Sequence, residues 1–350
     1  MSKLENKSSH VNPSFSLPTK EQKPVDYYLN GIVSGDRYIL SETITLLESS
    51  LSKKRQLGVE ILSKLPANHQ STIRIGITGT PGVGKSTFIE AFGLYLIDKG
   101  HKPAILAIDP SSQKTKGSIL GDKTRMESLS SHPQAFIRPS ATNNVLGGTA
   151  AVTKDSIQIC ESAGYDIILV ETVGVGQSET EVDNITDINI LLLQPGAGDD
   201  IQGIKRGIME NADIFVINKS DGAMFELAQN TKTSYTNAIS LFHHDLEGWT
   251  CPVLLVSSIT QLGISEVYDA TMAYYEVAIE NGFFTIQRET QELKWFEKQS
   301  QKMVIDMVLG QKDIQESYAK LLNDIRHQTI QTTEALRTFQ EKLSLIINSK

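Results

Sequence analysis

The sequence predicts an α/β fold, a mostly parallel sheet flanked by helices, with further helical segments at both ends. Three observations predict it. Six short apolar runs, "IRIGIT", "AILAID", "IILVET", "INILLLQ", "IFVINK" and "VLLVSS", recur through about residues 72 to 282. Their length and apolarity suit strands buried on both faces. Helical patterns separate most of them, which is the alternation of a parallel sheet. The first run opens through a glycine-rich loop into a helix, at "GITGTPGVGKSTFIE".

Taken in order, residues 1–24 hold Ser, Asn, Lys and Pro with few apolar anchors and are expected to form a flexible tail. Residues 25–70 read as an N-terminal helical segment. Ile39, Leu40, Ile44, Leu47 and Leu51 fall near a 3.6-residue period, and "PANHQS" ends the pattern. Residues 71–283 carry the strand runs and form the expected central domain. Residues 284–350 hold no strand run. Their amphipathic patterns, "ETQELKWFEKQSQKMVIDMVLG" and "TTEALRTFQEKLSLIINS", need the domain or another chain to cover them.

Composition narrows the function classes. With 350 residues and 39% hydrophobic content, the chain suits one large domain with additions, or two domains. A net charge of -8 argues against a general binder of nucleic acid or anionic membrane. "MSKLENKSSH" has no apolar core behind it, and no stretch reaches the roughly 20 apolar residues of a membrane span. Cys160 and Cys251 form no CxxC and read as small buried thiols of a reduced compartment. A cytoplasmic location is the expectation.

The glycine loop is G-x-x-x-x-G-K-S, with Gly79, Gly84, Lys85 and Ser86 between a strand and a helix. That context makes it a P-loop, and the fold a P-loop NTPase. Gly79, Gly82 and Gly84 let backbone N–H groups turn toward phosphate oxygens. The helix from Lys85 adds its positive end. Lys85 supplies a charge at the β/γ bridge, and Ser86 offers a hydroxyl to Mg²⁺. Val83 and Thr87 complete the candidate nucleotide contacts.

"IFVINKSDG" places Asn218, Lys219 and Asp221 after a strand, in the N-K-x-D pattern of guanine readers. A carboxylate accepts from guanine N1–H and the 2-amino group, and adenine would leave it unpaired. Lys219 can lay its apolar stem over the base. Ser257 and Ser258, in "VSSITQLG", suit either a weaker base contact or an ordinary turn. "ETVGVGQSE" follows the apolar run "DIILV" but has no Lys and opens no K-S helix, so it is not a second phosphate loop. Glu171 suits the second carboxylate near Mg²⁺, and Gly174 allows an N–H to approach the γ-phosphate. Gln177 is a candidate to position water. Asp109 at a strand end and Asp122 in the next polar loop are further candidates.

Together these residues resemble the MeaB/ArgK-type P-loop GTPase family, methylmalonic aciduria type A protein-like. The likeness covers about residues 30 to 285 and runs through "GDRYILSETITLLES", "LAIDPSSQKTKGSILGDKTRM", "FIRPS", "LGGTA", "ETVGVGQSE", "PGAGDDIQGIKRGIME" and "NKSDG". The resemblance implies a GTP-hydrolysing chaperone of an adenosylcobalamin-dependent acyl-CoA mutase, chiefly methylmalonyl-CoA mutase. It gates cofactor loading and protects or reactivates the mutase. GTP or GDP and Mg²⁺ are the implied ligands. Lys85 and Ser86 would hold phosphate and metal, while Asp109, Asp122 and Glu171 surround the metal and attacking water. Gln194 to Gly207 would be an extra switch loop, and the C-terminal helices a homodimerisation arm. The chain departs from the family's T-G-G at Thr115, Lys116 and Gly117, and reads "RPSATNNVLGG" where the family has "RPSPSSGTLGG". It contains no D-x-H-x-x-G cobalamin motif. A non-catalytic GTP-binding adaptor, a metal-insertion GTPase and a kinase of an amino-acid transport protein remain alternatives. The pair His243–His244 is a poor basis for the metal reading.

Overall fold

The computed structural model describes residues 23–66, 72–108, 126–139, 149–172, 182–196, 206–242 and 244–348. Among the described residues, seven strands form one sheet: β1 (Ile73–Gly79), β2 (Pro103–Ile108), β3 (Phe136–Pro139), β4 (Ile167–Thr172), β5 (Ile188–Leu193), β6 (Ile214–Ile217) and β7 (Val253–Leu255). Their order is β3-β2-β4-β1-β5-β6-β7, and every neighbouring pair is parallel. Six of the seven are the predicted runs. The seventh, β3, is "FIRP". It escapes an apolar-run search because only Phe136 and Ile137 are buried, while Arg138 and Pro139 break the pattern. An edge strand pairs on one side, so it needs fewer buried residues and tolerates proline.

Helices cover both faces. On one, α1 (Val25–Val33), α2 (Arg37–Leu47) and α3 (Ser52–Lys64) join α6 (Thr149–Ser162) over β2 and β4. Asp36 starts α2 by accepting from the N–H groups of Tyr38 and Ile39. Ile39, Leu40, Ile44 and Leu47 point into the core as their period predicts. Leu51 does not: it is 60% exposed. α2 ends at Leu47, and Leu51 is the cap of α3, so the helical period cannot be carried across that turn. On the other face, α4 (Lys85–Asp98), α5 (Glu127–Ser131) and α9 (Ile264–Glu280) bury Phe88, Phe92, Leu129 and Tyr274 with the strands' side chains. Between these helices in sequence lie α7 (Arg206–Glu210) and α8 (Phe225–Ile239), which pack on β5 to β7.

The chain ends in α10 (Phe283–Leu309), α11 (Lys312–Arg326) and α12 (Thr332–Asn348). The first turns of α10 are fastened to the N-terminal edge of the sheet. Arg288 donates from Nη2 to Asp187 Oδ2 at 2.7 Å and from Nε to Asp187 Oδ1 at 2.8 Å. Gln291 donates to the carbonyls of Thr186 and Asp183. Farther along, Phe296, Met303, Val304 and Met307 are exposed. No helix among the described residues is long and apolar enough to cross a membrane.

Candidate nucleotide-binding site

The candidate site lies at the C-terminal edge of the sheet, where β4 and β1 end side by side, β6 ends one strand beyond across β5, and the loop between β1 and α4 begins. Gly84 adopts φ 97°, a left-handed conformation, directly before the first helical residue Lys85. A Cβ at Gly84 would sit 2.7 Å from Asn218 Nδ2, so glycine is required by space as well as by backbone. Val83 is fully buried and anchors the loop in the core. Lys85 is only 9% exposed. Its Nζ donates to the Gly79 carbonyl at 2.7 Å and the Thr80 carbonyl at 3.3 Å, so the loop curls around the ammonium.

Parallel register sets Ile77 of β1 beside Glu171 of β4. That pairing carries the buried Glu171 carboxylate to the start of α4, where Ser86 Oγ donates to its Oε1 at 3.2 Å. Thr172 reinforces the junction, with its hydroxyl 3.4 Å from the Ile77 carbonyl and 3.3 Å from Thr78 Oγ1. A hydroxyl beside a carboxylate is a hard-oxygen donor pair of the kind Mg²⁺ accepts, so the residues present fit that ion. Thr87 lies in the first turn of α4 with its side chain exposed.

The N-K-x-D segment follows β6 and is tied to the loop at two points. Asn218 is 2% exposed and donates from Nδ2 to the Val83 carbonyl at 3.0 Å. Lys219, at φ 60°, donates from Nζ to the Gly82 carbonyl at 2.7 Å. Ser257 and Ser258 join the same group. The Ser258 hydroxyl donates to Asn218 Oδ1 at 2.8 Å, and the Ser257 hydroxyl donates to Asp221 Oδ2. Both serines therefore orient the two side chains that would meet a base. Their role was ambiguous in sequence because nothing in "VSS" reveals which loop lies opposite. The participation of Thr78, Thr172 and the Val83 carbonyl was not expected, and no local signal points to it.

The structure thus brings together Gly79, Gly82, Val83, Gly84, Lys85, Ser86, Glu171, Asn218, Lys219, Asp221, Ser257 and Ser258. Asp109, Asp122, Gly174 and Gln177 lie outside the described residues, as do Thr115, Lys116, Gly117 and most of Gln194–Gly207.

Other candidate chemistry is committed elsewhere. His244 Nδ1 accepts from the Leu246 N–H at 3.0 Å, which leaves Nε2 to donate to Asp213 Oδ1 at 2.8 Å. That ring is a structural partner, and His243 lies outside the described residues. Among the described residues, no group of three His, Cys, Asp or Glu side chains is placed to hold a metal. Both cysteines are free thiols, but only Cys160 is buried as expected, and Cys251 is half-buried. Burial, with the nearby Glu161 charge, pushes the Cys160 thiol well above its ordinary range.

The family model described as methylmalonyl-CoA mutase-associated GTPase MeaB matches residues 40–313. Over 300 residues the chain is 43% identical to the mitochondrial methylmalonic aciduria type A homolog of Mus musculus, covering 83% of this chain and 72% of that protein. Over 307 residues it is 39% identical to the GTPase ArgK of Escherichia coli K12, covering 88% and 93%. Its fold matches the crystal structure of an LAO/AO transport system kinase with a TM-score of 0.72 at 32% identity, covering 91% of this chain and 97% of that one. With the P-loop, the buried Glu171 and the tethered N-K-x-D segment in one site, the chain belongs to the MeaB family of methylmalonyl-CoA mutase-associated GTPases.

Proposed function

We propose that this chain hydrolyses GTP and uses the cycle to chaperone an adenosylcobalamin-dependent acyl-CoA mutase, with methylmalonyl-CoA mutase as client. The observation that carries this reading is the tether between the two halves of the site. Asn218 and Lys219 hydrogen-bond to the backbone of the loop that presents Lys85 and Ser86. A base-reading segment held to a phosphate-binding loop favours one purine nucleotide in one register.

On this reading Lys85 presents its ammonium to the β/γ bridge. Asp221, held by Ser257, accepts from guanine N1–H and the 2-amino group. Ser86 and Glu171 would hold Mg²⁺, with Asp109 and Asp122 completing the set by family likeness. Bound Mg²⁺ neutralises charge on the phosphate oxygens. Gln177 orients the attacking water, and Gly174 brings an N–H to the γ-phosphate. Residues 194–207 act as a switch toward the mutase. The helices of residues 284–350 form a homodimerisation arm on the 71–283 GTPase domain, in a cytoplasmic protein. Hydrolysis by the isolated chain is slow, because a GTPase without a charge supplied opposite Lys85 runs about 10³–10⁵-fold below its activated rate.

The test is GTP turnover by the purified protein, alone and with the mutase of the same organism. Strong stimulation supports the chaperone reading. Turnover that ignores the mutase overturns the client while leaving the GTPase assignment. A Lys85→Ala protein that still binds GTP tightly overturns the phosphate-site assignment.

A further inference from the structure

Arg74 is the second residue of β1, between Ile73 and Ile75 in a buried strand, and is only 6% exposed. A guanidinium in such a place needs a partner. Its Nε donates to Glu161 Oε1 at 2.7 Å, and Glu161 is buried beside it on α6. That bond uses one of the five N–H donors of a guanidinium. Nη1 and Nη2 make no hydrogen bond among the described residues, yet neither is closed to solvent. They open onto the cavity that Arg74 lines, a space of about 970 Å³ between α6, the end of α9 and the first turns of α10. It lies at the sheet edge opposite the nucleotide site.

Lys154 of α6 brings a second cation to the same space. Its Nζ donates to Glu292 Oε2 at 2.7 Å and lies over the Trp295 ring, 4.9 Å from the centre. The Glu292 side chain is 61% exposed, so this pair is wet at its acidic end and costs little to exchange. Burial, with the Arg74 charge nearby, holds the Lys154 ammonium below its ordinary range although Glu292 pulls the other way. Arg288 also reaches the cavity but is committed to Asp187 and to the face of the Phe284 ring. Ile279 and Leu293 add exposed apolar side chains to the wall, and Phe284 a buried one.

Unused guanidinium N–H groups beside an exchangeable ammonium select an oxygen anion. Their planar fork matches a carboxylate. The apolar wall next to them offers area that a bare inorganic anion would leave uncovered. Glu289 and Glu292, exposed at the rim, repel a ligand with several negative charges, such as a nucleotide. The volume falls at the upper end of the usual range for small-ligand pockets.

We propose that this cavity binds a monocarboxylate carrying a short aliphatic chain. The carboxylate sits between Arg74 and Lys154 in place of Glu292, and the chain lies along Ile279, Phe284 and Leu293. The proposal is independent of the nucleotide site.

The experiment is isothermal titration of the full-length, GDP-saturated protein with sodium hexanoate at constant ionic strength, with acetate and inorganic phosphate as references. Hexanoate is expected to give saturable one-to-one binding, and both references to bind about tenfold more weakly or less. Lys154→Ala should weaken hexanoate binding about tenfold or more, and Glu292→Gln should tighten it by removing a competing carboxylate. GDP affinity should stay unchanged in both variants, which separates this site from the nucleotide reading. Absence of saturable hexanoate binding up to about 10 mM overturns the proposal. So does acetate or phosphate binding as tight as that of hexanoate, since the cavity would then hold an adventitious ion only. Binding that survives Lys154→Ala, or Arg74→Lys with its charge kept and its fork removed, overturns it as well. Should both of these variants fail to fold, the exposed Glu292→Gln decides alone, and unchanged affinity overturns the proposal.

Discussion

Asn218 donates its side-chain amide to the Val83 carbonyl at 3.0 Å, across 135 positions of sequence. Its Oδ1 simultaneously accepts from the Ser258 hydroxyl at 2.8 Å. One buried amide thus joins the phosphate loop, the end of β6 and the turn after β7. Removing it in Asn218→Ala leaves a buried carbonyl and a buried hydroxyl short of partners. At about 1–3 kcal/mol, GDP affinity should fall roughly 10- to 100-fold while the fold persists. Fluorescent-GDP titration checks this, and unchanged affinity would show that the loop keeps its shape without the tether.

The Asp221 side chain offers a test of base choice. Asp221→Asn replaces an acceptor by a donor, which suits the 2-oxo group of xanthine and opposes the 2-amino group of guanine. GTP affinity should drop by about 10²-fold or more, with xanthosine triphosphate becoming the better substrate. Ser257 can still donate to the asparagine oxygen, so the loop itself should hold. Competition titrations with the two nucleotides decide; an unchanged preference for GTP would remove Asp221 from base reading.

Arg288 and Asp187 should matter to stability and not to nucleotide binding. Asp187 is fully buried at the sheet edge opposite the P-loop. Arg288→Ala leaves that carboxylate without its guanidinium, at a cost of about 3–5 kcal/mol. Asp187→Asn added to Arg288→Ala should recover part of the loss. Urea unfolding of both variants measures this, alongside GDP affinity, which is expected to stay constant.

Acidic pH should reveal Asp155. Burial pushes its carboxyl up to about 6, although the Arg55 and Lys154 charges pull the other way. A folded-state value above the unfolded one means that the folded chain holds the proton longer. Stability therefore falls as pH rises from about 4 through about 6, and the full penalty stands above that. Asp155→Asn should raise stability near pH 7 by about 1–3 kcal/mol and flatten this part of the pH profile. Asp183 titrates in the same window, so part of the slope should remain. Urea midpoints from pH 4 to 7 check both points; an unaltered slope in the variant rules Asp155 out as a contributor.

Much of the architecture could be read from single stretches. β6 is wholly apolar, β5 is apolar but for Asn189, and β1 and β4 stay buried even through Arg74, Glu171 and Thr172, so burial on both faces is largely written locally. β3 was hidden because its burial stops after two residues. Leu51 misled because a helical period continues on paper across a turn that ends the helix.

The sequence by itself determined the P-loop, the N-K-x-D segment and the order along the chain of six of the seven strands. Those features depend on residues a few positions apart, whose spacing constrains the backbone directly. Tertiary structure alone decided that β1 lies between β4 and β5, which sets Glu171 against Ser86. It also decided that Ser257 and Ser258 serve Asp221 and Asn218, and that α10 is fastened through Arg288 to Asp187. Each of these joins residues from 36 to 101 positions apart. A hydroxyl or guanidinium advertises that it needs a partner, but packing chooses which one arrives.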